Sequence, residues 1–132
     1  MKINKIDHVG IRVADFDRSI RFYAMMGFSV TRKDLTEHVV EVQHPSGITL
    51  NFLDSANHDH DGQNVLMDIE RKYPGYTHCA FNIESVDDAL QHLETNGITP
   101  TEGPVTFGNG KTSIFIRDPD LNVIEFTHAP TP

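Results

Sequence analysis

The chain has 132 residues, with 11 Lys and Arg against 19 Asp and Glu and a formal charge of −8 at pH 7. That length fits one domain with a real core. An acidic chain without a basic stripe repels a phosphate backbone, which excludes nucleic acid as a partner class. Cys79 is the only cysteine, so no internal disulfide can form, and no apolar stretch approaches transmembrane length. The opening MKINKIDHVGIRV alternates instead of forming the apolar run of a signal peptide. The expectation is a cytoplasmic protein with no membrane partner.

In chain order, Ile6, His8, Gly10 and Arg12 alternate with Val9, Ile11 and Val13, the period of a strand. Asp15 caps a helix whose inner face is Phe16, Ile20, Tyr23 and Met26, and Gly27 stops it. Strands follow near residues 28–33, 37–44 and 48–54. A polar connector, residues 55–74, comes next. Within it Asn57, Asp59, Asp61, Gly62 and Asp68 approach the pattern of a calcium loop, with His58 and His60 among them. The fit is poor: Asn57 stands for the first Asp, Asp68 for the closing bidentate Glu, and no helices bracket the stretch. A solvated connector is the better reading, in which Val65, Leu66, Met67 and Ile69 can form a short covering helix.

The second half repeats the first. Asp7–Phe28 aligns with Thr77–Ile98 without a gap at an offset of 70, placing His8 on His78, Asp17 on Asp87 and Gly27 on Gly97. HPSGITLNF, residues 44–52, matches DPDLNVIEF, residues 118–126, at an offset of 74, so Asn51 falls on Glu125 and Phe52 on Phe126. Ser85 takes the capping place of Asp15, and Val86, Ala89, Leu90 and Leu93 line the second helix. A fixed-spacing repeat defines architecture more firmly than local propensity. The expected fold is α+β: two βαβββ modules, about residues 4–54 and 75–128, with curved mixed sheets around a shared cavity. Alternate strand positions then aim His8, His78, Asn51 and Glu125 into it. Two imidazoles and a carboxylate suit a borderline divalent ion (zinc, nickel, cobalt, manganese or iron(II)) and leave positions open for water and substrate. Glu125, between Ile124 and Phe126, is a carboxylate that a metal would compensate.

With these residues the chain resembles the vicinal oxygen chelate superfamily, which includes glyoxalase, bleomycin-resistance proteins, fosfomycin-resistance enzymes and extradiol dioxygenases. The resemblance runs from KIDHVGIRVADFDRSIRFYAMMGF through GYTHCAFNIESVDDAL to FIRDPDLNVIEF. It implies paired modules and a divalent metal held at the places of His8, Asn51, His78 and Glu125. In lactoylglutathione lyase the second place is a glutamate that also moves a proton. An amide such as Asn51 can ligate but cannot take up a proton at neutral pH. Glu125 is then the first candidate base. Glu41, which matches Phe115 in the repeat, is a second, because the resemblance implies that this place faces the cavity. Arg12 and its counterpart Asn82 are implied to point inward too, and with Phe115 they are the expected substrate contacts. An arginine at that place grips a glutathione carboxylate in glyoxalase-like enzymes. Cys79 alternates away from the metal and has no expected role.

The resemblance therefore implies a lyase, isomerase or epimerase that uses metal-assisted proton transfer on a small oxygenated or glutathione- or thiol-conjugated substrate. A fosfomycin-type thiol transferase or a small iron(II) dioxygenase fits the same ligands, although dioxygenases of this kind are usually about twice as long. A metal-free ligand-sequestering protein is the third reading, against which three clear ligands persist. An open sheet in so small a chain leaves an edge to cover, so a homodimer is expected.

Overall fold

The computed structural model describes residues 1–130. It divides into two compact units, Met1–Asp59 and His60–Pro132. The first holds β1 (Val9–Arg12), α1 (Phe16–Ala24), β2 (Ser29–Asp34), β3 (Val39–Gln43) and β4 (Thr49–Leu53). The second holds β5 (His78–Asn82), α2 (Val86–Thr95), β6 (Glu102–Thr106), β7 (Thr112–Arg117) and β8 (Val123–His128). Each unit is one four-stranded sheet, in the orders β1-β4-β3-β2 and β5-β8-β7-β6. The outer first strand runs parallel to the last, and the other pairs are antiparallel. This is the expected α+β arrangement of repeated βαβββ modules.

The repeat extends to the helix ends. The Asp15 carboxylate accepts from Arg18 N–H at 2.9 Å, and the Ser85 hydroxyl accepts from Asp88 N–H at 3.1 Å. Each satisfies a donor that the first turn leaves orphaned. At the other end Gly27 N–H donates to Ala24 O and Phe28 N–H to Tyr23 O; Gly97 to Glu94 and Ile98 to Leu93 repeat that pair. Both closures need a left-handed residue, and Gly27 and Gly97 supply it at φ 101° and 71°. Met26, expected on the helix, lies in this closing turn.

Each helix covers one sheet face. Val40, Val42, Leu50 and Phe52 are buried in the first unit with Tyr23, whose ring sits 5.0 Å from that of Phe52. Ile114, Ile116, Ile124 and Phe126 do the same with Leu93 in the second. Residues between these on each strand, Glu41, Asn51, Phe115 and Glu125 among them, are on the opposite face.

Two expectations are corrected. Strand β1 begins at Val9, so His8 stands just before it and Ile6 is exposed. The pairing with β4 starts at Val9↔Leu50, whereas β5 pairs one residue earlier, His78↔Val123. Residues 65–69 form a turn and not a helix. Asn64 O accepts from Met67 N–H and Asp68 N–H, and the Asn64 side chain caps Leu66 and Met67. Among the described residues no backbone bond continues the turn beyond Asp68 N–H to Asn64 O, and a single turn is too short to hold a helix by itself.

The β7–β8 hairpin turn carries more polar anchoring than its counterpart. Buried Asp118 accepts from Asp120 N–H, Asn122 N–H and Asn122 Nδ2, each at 2.9 Å. In the β3–β4 turn His44 takes that place and accepts from Ser46 N–H at 3.0 Å. Asp118→Ala therefore strands several donors and is expected to cost about 2–3 kcal/mol, against about 1 kcal/mol for His44→Ala. Urea unfolding measures both, and equal small losses would contradict the hairpin's role.

Candidate metal and substrate residues

In the first unit the face away from α1 carries the polar residues of interest. Gly10 pairs in register with Asn51, and Asn51 with Glu41. The Asn51 Oδ1 is buried and has no hydrogen-bond partner among the described residues. A buried acceptor left unsatisfied is costly, so something outside the chain's own donors is the natural complement. Beside it, the Thr31 hydroxyl donates to Glu41 Oε1 at 2.7 Å. Thr31 is the extra residue of a bulge, since Val30 pairs with Val42 but Arg32 with Glu41. Bulges re-aim side chains, and this one turns Thr31 toward the carboxylate. Arg12 Nε donates to Ser55 Oγ at 3.0 Å.

The second unit repeats the pattern with different chemistry. Ala80 pairs with Glu125, and Glu125 with Phe115. The carboxylate is now on the last strand and the large side chain is beside it, where the first unit has amide and carboxylate. His78 Nε2 lies 3.1 Å from Glu125 Oε2, and the Glu125 side chain is only 12% exposed. The Phe115 ring meets the His78 ring edge-on, centroids 6.0 Å apart. Asn82 is exposed at the end of β5, in register with Thr127.

Both candidate imidazoles are held the same way. His8 Nδ1 is 2.8 Å from Asp7 Oδ2, and His78 Nδ1 is 2.8 Å from Thr77 Oγ1. Asp7 and Thr77 are repeat equivalents. A ring whose Nδ1 is engaged presents Nε2, the arrangement in which histidine ligands are usually fixed. Among the described residues no group of three or more His, Cys, Asp or Glu side chains is gathered to hold a metal. The candidate set lies two and two: His8 and Asn51 in the first unit, His78 and Glu125 in the second.

The acidic stretch uses its polar groups locally. Asn57 Oδ1 accepts from Asp59 N–H, and His60 Nδ1 from Gly62 N–H. Asp68 accepts both terminal nitrogens of Arg117, each at 2.8 Å, and Asn64 N–H besides. The Arg117 hydrogen bonds above all hold the Asp68 carboxyl down at about 2 and push the guanidinium up. A depressed carboxylate stabilises above its ordinary value of 3.8, and that contribution fades as pH falls toward about 2. Burial pushes the Cys79 thiol up, which suits an inert side chain on the helix-covered face. Thr31, Asp7, Thr77 and Arg117 were absent from the sequence-based set. Asp7 and Thr77 were findable, because each directly precedes a repeated histidine.

The profile of the glyoxalase/bleomycin resistance protein/dioxygenase superfamily matches residues 5–126. A virulence protein of Salmonella typhimurium is 31% identical over 96% of this chain and 85% of its own. Its solved structure superposes with a TM-score of 0.69 at 28% identity, covering 98% of this chain and 100% of that one. A metallothiol transferase of Staphylococcus epidermidis is 30% identical over 95% of this chain and 82% of its own. A probable lactoylglutathione lyase of Vibrio cholerae is 29% identical over 95% and 91%. With the repeated fold and these matches, the chain belongs to the glyoxalase/bleomycin resistance protein/dioxygenase superfamily.

Proposed function

We propose that the protein is a divalent-metal-dependent lyase or isomerase acting by proton transfer on a small oxygenated or thiol-conjugated substrate. His8, His78 and Glu125 are the principal ligands in this reading, with Asn51 Oδ1 completing the set. The observation that carries it is the His78–Glu125 contact at 3.1 Å, with the far nitrogen of that ring already held by Thr77. The unpartnered Asn51 oxygen, at the repeat position of Glu125, fits the same donor set. The ion is zinc, nickel, cobalt, manganese or iron(II) on this chemistry. When bound, such an ion polarises a substrate carbonyl as a Lewis acid.

The proton-moving groups are carboxylates of this chain. Glu125 can accept a proton from substrate at an oxygen not facing His78. Glu41 offers a second base: Thr31 holds its Oε1 at 2.7 Å and leaves Oε2 for a proton. Asn51 can do neither. Arg12 and Asn82 bind the polar end of the substrate, and Phe115 walls the His78 side. The reading includes a cytoplasmic homodimer, in which a second copy covers outer strands of the sheets.

The amide at Asn51 favours one second reading, a thiol transferase that needs only the His8, His78 and Glu125 ligands. The similarity to a metallothiol transferase fits it equally.

Two measurements test the proposal. Elemental analysis of purified protein should find about one divalent ion per set of ligands, lost in His78→Ala and retained when His58 and His60 are both replaced by Ala. Retention by His78→Ala, or loss in the double variant, would remove the proposed ligands. Wild-type protein should be a poor catalyst of the methylglyoxal–glutathione adduct, and Asn51→Glu should raise the rate about a hundredfold by adding a positioned base. Robust wild-type turnover would mean that Glu125 alone suffices. No gain in a metal-loaded Asn51→Glu protein would assign the choice of substrate to the pocket.

A further inference from the structure

Arg117 has no part in the reading above, yet it shares a sheet face with its residues. On β7 it pairs with Val123, which pairs with His78. Arg117 and His78 are thus on one row, their Cα atoms about 10 Å apart across two strand spacings. Its Nη1 and Nη2 donate side by side to the two Asp68 oxygens, the fork geometry by which arginine recognises oxyanions. Its Nε is buried and has no hydrogen-bond partner among the described residues. The Glu102 carboxylate on β6 also acts on Arg117 electrostatically without making a hydrogen bond to it.

The carboxylate in the fork comes from a segment with little structure of its own. Residues 64–72 contain neither helix nor strand. One turn at Asn64, the Asn64 Nδ2 bond to Leu121 O at 3.0 Å and the Asp68–Arg117 pair join it to its surroundings, while Lys72 Nζ binds back to its own Met67 and Ile69 carbonyls.

We propose that Arg117 is a binding site for the oxyanion of a small-molecule ligand, and that Asp68 is its internal occupant, displaced together with its segment when the ligand binds. Exchanging one carboxylate for another conserves the charge and both hydrogen bonds, so the half-buried guanidinium keeps a partner. A tethered carboxylate competes at an effective concentration of about millimolar. A bare anion therefore competes only in that range, whereas a ligand that also touches the His78 row competes lower. A phosphoryl group can take the same end-on fork with two of its oxygens.

The proposal deepens the catalytic reading by naming the charge of the ligand, but its test needs neither metal nor turnover, so the two fail separately. Inorganic phosphate is titrated at constant ionic strength into wild type, Asp68→Asn, and Asp68→Asn with Arg117→Gln. Backbone amide shifts of residues 116–118 and 123 are followed by NMR. Saturation in Asp68→Asn at phosphate at least about tenfold lower than in wild type, and none in the double variant, is the expected result. No saturable shift in Asp68→Asn overturns the proposal. So does an unchanged response in the double variant, which would mean an adventitious ion only. Should Asp68→Asn not fold, wild-type hydrogen exchange decides. Amides 64–72 should exchange faster in phosphate well above millimolar than in chloride of equal ionic strength, and equal rates would overturn displacement.

Discussion

The parallel pairing of the first and last strand in each module is the constraint from which the candidate site follows. A parallel pair needs a crossover, and α1 and α2 supply it while covering one face with apolar side chains. Strand alternation then commits every second residue to the other face. Asn51 between Leu50 and Phe52, and Glu125 between Ile124 and Phe126, have no freedom to do otherwise. A slip of one residue would put both into the core. The histidines stand at the near end of the partner strands, so the same pairing sets how far each imidazole is from the polar residue of the last strand.

One scaffold used twice carries two different chemistries. The first module has an amide on its last strand and a carboxylate on the neighbour; the second has a carboxylate on its last strand and Phe115 on the neighbour. The module with the His78–Glu125 contact is thus also the one with an aromatic wall against the imidazole. The other has a bulge that holds Glu41 by the Thr31 hydroxyl. Divided this way, the two carboxylates answer to different neighbours: Glu125 to an imidazole and Glu41 to a neutral hydroxyl.

Much of this was legible because periodicity, caps and repeat agree. Asp15 and Ser85 look like caps and act as caps, and Gly27 and Gly97 adopt the left-handed backbone that the helix ends require. Asp118 and His44 align in sequence and cap equivalent turns, although their hydrogen-bonding capacity differs. What escaped depends on register or long range. Thr31 reaches Glu41 only because of a bulge, which shifts pairing by one residue and leaves no periodic trace. The Asp68–Arg117 pair spans 49 residues, and in sequence Asp68 looked like the failed last ligand of a calcium loop. The helix suggested by Val65, Leu66, Met67 and Ile69 stops at one turn: Asn64 caps it as an N-cap does, but among the described residues no backbone bond continues it beyond Asp68 N–H to Asn64 O.

The proposed function rests on the repeated imidazoles, with Glu125 and Asn51, holding one divalent ion. A crystal structure of the cobalt- or zinc-loaded protein, with anomalous scattering recorded at the metal edge, tests it most directly. The account predicts a single strong peak ligated by the Nε2 atoms of His8 and His78, a Glu125 oxygen and Asn51 Oδ1, with protein ligands at about 2.0–2.2 Å. A peak on His58 and His60, or none beside the His78–Glu125 pair in fully loaded protein, would contradict it.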